Sequence, residues 1–159
     1  MIRRDGITAN DKPGWRAGVN QALGWQWQPY SPILTASTSS PTGFDTVAAW
    51  YQVGSLVTVR LTLTGGTSVN AGSGTYRIGL PVNAASGQTA GIGTLLMFDA
   101  SSHASGVAEA YPADPTYVTL AYPATYGGTL TAVGAAAPWA WASGDIIRGT
   151  LTYEAALPA

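Results

Sequence analysis

"VAAWYQVGSLVTVRLTL", residues 47–63, decides the fold. Val57, Val59, Leu61 and Leu63 alternate with Leu56, Thr58, Arg60 and Thr62. That is a period of two with many β-branched residues, the pattern of a half-buried strand. Ahead of it Ala49, Tyr51 and Val53 alternate with Ala48, Trp50 and Gln52. Gly54-Ser55 stands between the two runs. A two-residue loop with Gly first predicts a type II′ hairpin, because Gly reaches positive φ without a Cβ clash.

Working outward, the same signal recurs. "TYRIGLPV" (75–82) reads as a strand that ends at Pro81 or lies at a sheet edge, because proline has no amide to donate. "GIGTLLMFD" (91–99), "TYVTLAY" (116–122), "GTLTAV" (128–133) and "GDIIRGTLTYEA" (144–155) read as further strands. In the last, Ile147, Gly149, Leu151 and Tyr153 share one face. Turn clusters such as "LTGGTSVNAGSG" separate the runs. Alanine is common, but no stretch carries a capped 3.6-residue apolar period. About eight short strands predict an all-β fold, an antiparallel β-sandwich or jelly-roll-like knob. Residues 1–24 show no sustained period and read as an extended N-terminal arm. Residues 25–159 read as one β domain.

Only 9% of the 159 residues are charged, far below the usual quarter. A monomer normally keeps a dense charged surface for solubility. Two readings follow: a surface hidden against other chains, or a neutral Ser/Thr-rich surface on a secreted monomer. The net charge of −1 gives no bulk attraction to nucleic acid or membrane. Four of the seven positive residues, Arg3, Arg4, Lys12 and Arg16, lie in the first sixteen positions. Against Asp5 and Asp11 the arm carries +2, and the rest carries −3. Such an arm either docks to an acidic partner or is a solvated tail. No signal peptide is visible and no apolar run has the length of a membrane span. The chain is therefore expected to be made in the cytoplasm, reaching the outside by lysis or in a particle.

There is no cysteine, so disulfides, thiolate metal sites and a cysteine nucleophile are excluded. His103 is the one histidine, in the Ser/Ala/Gly stretch "DASSHASG" (99–106) that reads as a turn. No G-x-S-x-G elbow accompanies it. The carboxylates are scattered, with no calcium-loop spacing, and no metal or cofactor is expected. Glycosidase chemistry needs two carboxylates across a cleft. Glu109, Asp114, Asp145 and Glu154 offer no motif for it, and Asp145 reads as turn chemistry after Ser143-Gly144. "GSGTYRIG" (72–79) precedes a strand and lacks the spacing of a phosphate-binding loop. No catalytic residue is predicted.

What remains is surface. "WQWQPYSP" (25–32) and "PWAWASGD" (138–145) each carry tryptophans two positions apart. On a strand such residues point the same way. Trp25 and Trp27, near Tyr30, would form one aromatic shelf, and Trp139 and Trp141 another. Each indole also needs a partner for its N–H. Core packing, burial between subunits and stacking on a sugar ring are the three readings.

Three stretches carry a resemblance: "WQPYSPILTASTSSPT" (27–42), "AAWYQVGSLVTVRLTLTGGTSVNAGSGTYRIGLPV" (48–82) and "SGDIIRGTLTYEA" (143–155). Together they resemble the β-rich C-terminal module of minor tail or fibre proteins in actinobacteriophage virions. The likeness covers roughly residues 25–154 and includes no catalytic motif. It implies a virion structural protein, a homotrimer in a tail tip, fibre or head decoration. Its partners would be other virion proteins, with a host-surface glycan a further candidate. It also implies that the hairpin and "GTYRIGLPV" form the scaffold and that variable loops make contacts. Such proteins often carry a long N-terminal shaft. Here about 24 residues precede the module, which favours a compact knob pinned by its arm.

Overall fold

The computed structural model describes residues 26–87, 91–111, 113–125 and 127–156. The predicted arm, with Arg3, Arg4, Lys12 and Arg16, lies outside the described residues, as does Trp25. Ten strands follow in chain order: β1 (Gln28–Tyr30), β2 (Leu34–Ala36), β3 (Thr42–Val53), β4 (Leu56–Asn70), β5 (Tyr76–Gly79), β6 (Gly91–Phe98), β7 (His103–Ala110), β8 (Tyr117–Pro123), β9 (Leu130–Ala132) and β10 (Ile146–Glu154). No helix occurs among the described residues.

The hairpin forms where the alternation places it. Val53 pairs with Leu56 across Gly54-Ser55. Gly54 has φ +60° and Ser55 is not in the positive region, as a type II′ turn requires. All pairs are antiparallel, and the strands make one sheet in the order β1-β3-β4-β10-β6-β7-β8-β5-β2, with β9 on β8.

That order forces the sheet to curl. β1 and β2 lie at its two ends, yet three residues, Ser31 to Ile33, join them. Four Cα steps reach at most about 14 Å. The two edges must therefore approach each other, and the sheet rolls around one core. Val57, Val59 and Leu63 of β4 face Tyr76 and Ile78 of β5, Val118 and Leu120 of β8, and Ile147 and Leu151 of β10 in one buried cluster. The all-β antiparallel expectation holds. A two-sheet sandwich or jelly-roll is a finer statement than this hydrogen bonding makes, since a single rolled sheet supplies both walls.

Two segments read as turns are strand. β4 runs on through Gly65 and Gly66 to Asn70. Gly65 is there for close approach: a Cβ would strike the Ala142 carbonyl, and its own amide donates to Asp145 O at 2.8 Å. The histidine stretch begins β7, where His103 pairs with Phe98. Gly106, which ends the stretch, is small because the wall is crowded there. A Cβ on Gly106 would lie 2.9 Å from Met97 Cε and 2.6 Å from Ala121 O.

Candidate functional site

The second tryptophan pair sits in the connection between β9 and β10, not on a strand. Trp141 is buried and donates Nε1–H to Gly134 O at 2.9 Å. Its ring lies 6.1 Å from Tyr76, 6.3 Å from Phe44 and 5.6 Å from Trp139. Together these rings fill the core beside β4. Trp139 is half-buried, and its Nε1 has no hydrogen-bond partner. The turn after Trp141 is fastened by Asp145, whose buried carboxylate accepts from Ala142 N at 2.8 Å. Of the three tryptophan readings, packing in the core describes Trp141.

The first cluster splits. Trp27 and Tyr30 are three positions apart, so an extended chain turns them to opposite faces. Tyr30 packs against the core, its hydroxyl without a partner. Burial, with Tyr153 close by, raises its pKa well above the usual phenol range. Trp27 stays outside, 37% exposed. Its ring meets Tyr51 edge-on at 4.7 Å, and the Arg60 guanidinium carbon stands 4.4 Å from its centroid. Desolvated cation–π pairs of this kind are worth about 1–2 kcal/mol, and exposed ones less.

Arg60 leads onto a broad surface, the outer face of β3-β4-β10-β6. Strand register lays out its rungs. Ala49, Arg60, Thr150 and Thr94 form one; Val47, Thr62, Arg148 and Leu96 form the next. Val47 is 74% exposed and Leu96 43%. Val53 and Leu56, paired at the hairpin end, are exposed as well. The positive charges are drawn onto the protein's own rings, Arg60 onto Trp27 and Arg148 onto Phe98 at 4.7 Å. Threonine methyls and hydroxyls fill most of the remainder, with the carboxylates of Asp45 and Glu154 at its two ends. Exposed aliphatic groups, hydroxyls and few free charges suit a surface made to be covered by protein.

Asp99 and Asp145 line one shallow pocket with Arg148, but each carboxylate is committed to its own turn. Asp99 accepts from the Ser101 amide first, then from the Ser101 hydroxyl and the Ser102 amide, and these bonds hold its pKa below the usual carboxylate range. It is a turn residue beside the exposed His103. Asp145 precedes the end of β10 that pairs with Phe98 and, through it, with His103. Glu109 lies six residues further along β7, about 20 Å away at the rise of an extended strand. Glycosidase carboxylates stand roughly 5–10 Å apart. Among the described residues no group of three or more His, Cys, Asp or Glu could hold a metal ion. No helix among them is long and apolar enough to cross a membrane.

The sequence signalled the tryptophans but missed Arg60, Arg148 and a second aromatic group, Arg77 with Tyr111 and Tyr117. Alternation showed that Arg60 and Arg148 point outward, but only register shows which rings they meet. The chain matches no known protein family, no curated protein and no solved structure.

Proposed function

We propose that this chain is a structural subunit of a bacteriophage virion: a homotrimeric β knob, attached by its arm to the tail as a minor tail or fibre protein that contributes to host attachment. The observation that carries this reading is the outer face of β3-β4-β10-β6. It displays Val47, Leu96, Val53 and Leu56 on a chain with only 15 charged residues, 7 basic and 8 acidic. Such a face is covered when copies associate, and association also shields strand edges. The resemblance to actinobacteriophage tail modules supports the particle. The distance of Glu109 from Asp145, and the commitment of Asp99 and Asp145 to hydrogen bonds within their own turns, support a role without catalysis. A head-decorating protein that stabilises the capsid is the alternative, since it needs the same arm and the same face. A stand-alone carbohydrate-binding module is less favoured, because Trp27 is the one exposed tryptophan among the described residues.

Gold-labelled antibody against the chain, applied to intact and dissociated particles that encode it, tests this. Label at the tail end supports the tail reading. Label over the head moves the protein to the capsid. Absence of the chain from dissociated particles overturns the virion reading.

A further inference from the structure

A second surface lies on the wall opposite the proposed interface, where β2, β5 and β8 run side by side. Tyr76 and Ile78 of β5 point into the core, so Arg77 between them points out. β8 sets Tyr117 opposite Gly79, which has no side chain to cover the ring. Tyr111, one residue past the end of β7, stacks on Tyr117 with centroids 5.2 Å apart and planes 23° from parallel. The Arg77 guanidinium carbon lies 4.6 Å from the Tyr117 centroid and 5.6 Å from that of Tyr111. Arg77 Nε is buried and makes no hydrogen bond.

An acidic group completes the rim. Asp114 accepts from the Thr116 hydroxyl at 2.6 Å and from the Thr116 amide at 3.0 Å. Those two bonds, and then the charge of Arg77, hold its pKa below the usual carboxylate range. Beside this group opens a cleft of about 350 Å³, lined by Tyr30, Ile33, Thr35, Leu80, Thr116 and Tyr117 among others. Its volume is at the lower end for small-molecule sites, which run from about 300 to 1,000 Å³. Ile33, 70% exposed, stands at the mouth, and Tyr111, 37% exposed, lies beside the cleft through its stack on Tyr117.

We propose that this cleft binds a neutral pyranose ring of an oligosaccharide. The C–H face of the sugar lies against the tyrosine stack, and its hydroxyls reach Arg77, Asp114 and the threonines. A pyranose has an apolar face and an equatorial belt of groups that both donate and accept. The site answers both: an aromatic stack, the threonine hydroxyls and one carboxylate with lone pairs to spare. Arg77 and Asp114 carry opposite charges side by side, so the rim is near neutral. An acidic sugar would gain at Arg77 about what it loses at Asp114, so the rim gives it no advantage. A nucleic acid would stack as well, but a single arginine provides little to hold its phosphates. This inference does not rest on the virion reading, because the same cleft would serve a free-standing module.

Saturation-transfer difference NMR on the full chain tests it. The probes are hexasaccharides of glucose, galactose, mannose and N-acetylglucosamine, with hexagalacturonate as the charged comparison. The expected result is transfer from tyrosine ring protons to the ring C–H protons of at least one neutral hexasaccharide. Tyr111→Ala should weaken that binding about tenfold, the scale of one lost aromatic contact. Tyr111→Leu, which keeps an apolar surface residue, should weaken it as much, while Trp27→Ala leaves it unchanged. No transfer to any neutral probe overturns the proposal. Transfer that persists in both Tyr111 variants, or stronger binding of the galacturonate, overturns it too.

Discussion

Tyr153, on the central strand β10, donates its hydroxyl to the carbonyl of Val82 at 2.7 Å, across 71 residues of sequence. β10 is the last strand in the described chain and the one wedged between β4 and β6. This bond ties it to the segment that follows β5. Tyr153→Phe keeps the ring and leaves the buried carbonyl without its partner. The expected loss is about 1–2 kcal/mol of folding stability. For a chain of this size that is a fall in Tm of about 2–8 °C, measured by thermal denaturation followed by circular dichroism.

Alkaline pH should unfold the protein. Burial raises the pKa of Tyr76 to about 12 and those of Tyr30 and Tyr153 further. In the unfolded chain these phenols titrate near 10.0. The folded state thus keeps protons that the unfolded state releases. Their contribution is fully present below pH 10 and is lost as pH rises toward about 12. Urea denaturation at a series of pH values should show stability falling above pH 10. Tyr76→Phe should lower stability at neutral pH, since Tyr76 also donates to Ala71 O, and should make the alkaline decline shallower.

The parts of the fold that were legible in the sequence are those in which one strand decides alone. Val57 to Leu63 and Ile147 to Tyr153 each bury one face, so period two was visible in the letters. Gly54 announced its turn because only one backbone conformation fits a two-residue hairpin with Gly first. β7 was not legible, because Gly106 is small for the sake of Met97 and Ala121, residues that arrive from other strands, and Ala108 gives the core only a methyl group. Small residues carry no β signal of their own. The tryptophan spacing misled for a related reason. Trp139 and Trp141 lie in a loop, where a separation of two implies no common face. Arg77, Tyr111 and Tyr117 span 40 residues, and no local pattern links them.

The same crowding makes Gly106 a sensitive position. A side chain there must displace the Ala121 carbonyl or the Met97 methyl, and the carbonyl belongs to a strand that cannot move alone. Gly106→Val should cost about 1–3 kcal/mol or more by overpacking. Met97→Ala in the same chain should recover part of that loss, because it empties one of the two obstructing positions. Denaturant midpoints of the single and double variants measure the coupling.

If copies cover the outer face of β3-β4-β10-β6, charge placed there should separate them without unfolding the subunit. Val47 and Leu96 stand on one rung and are exposed in the isolated chain. Val47→Glu with Leu96→Glu is therefore expected to leave the fold intact and to convert a trimer into monomers in sedimentation velocity. A wild-type chain that sediments as a monomer at micromolar concentration would remove the self-association.

Asp145 separates a structural carboxylate from a catalytic one. It is only 4% exposed and accepts the Ala142 amide, holding the turn that also joins Gly144 to Gly65. Asparagine retains an oxygen acceptor at that position and alanine does not. Asp145→Ala should therefore cost about 1–3 kcal/mol, and Asp145→Asn clearly less. A general acid or nucleophile would show the opposite signature: both variants would abolish turnover whatever their stability. The Asp145→Ala, Glu109→Ala double variant makes the distinction on a cell-wall polysaccharide. We expect no cleavage by the wild type, and a stability loss in the double variant dominated by Asp145. Cleavage by the wild type that disappears in the double variant would instead make these carboxylates chemical, and would require the two ends of β7 to act on one substrate.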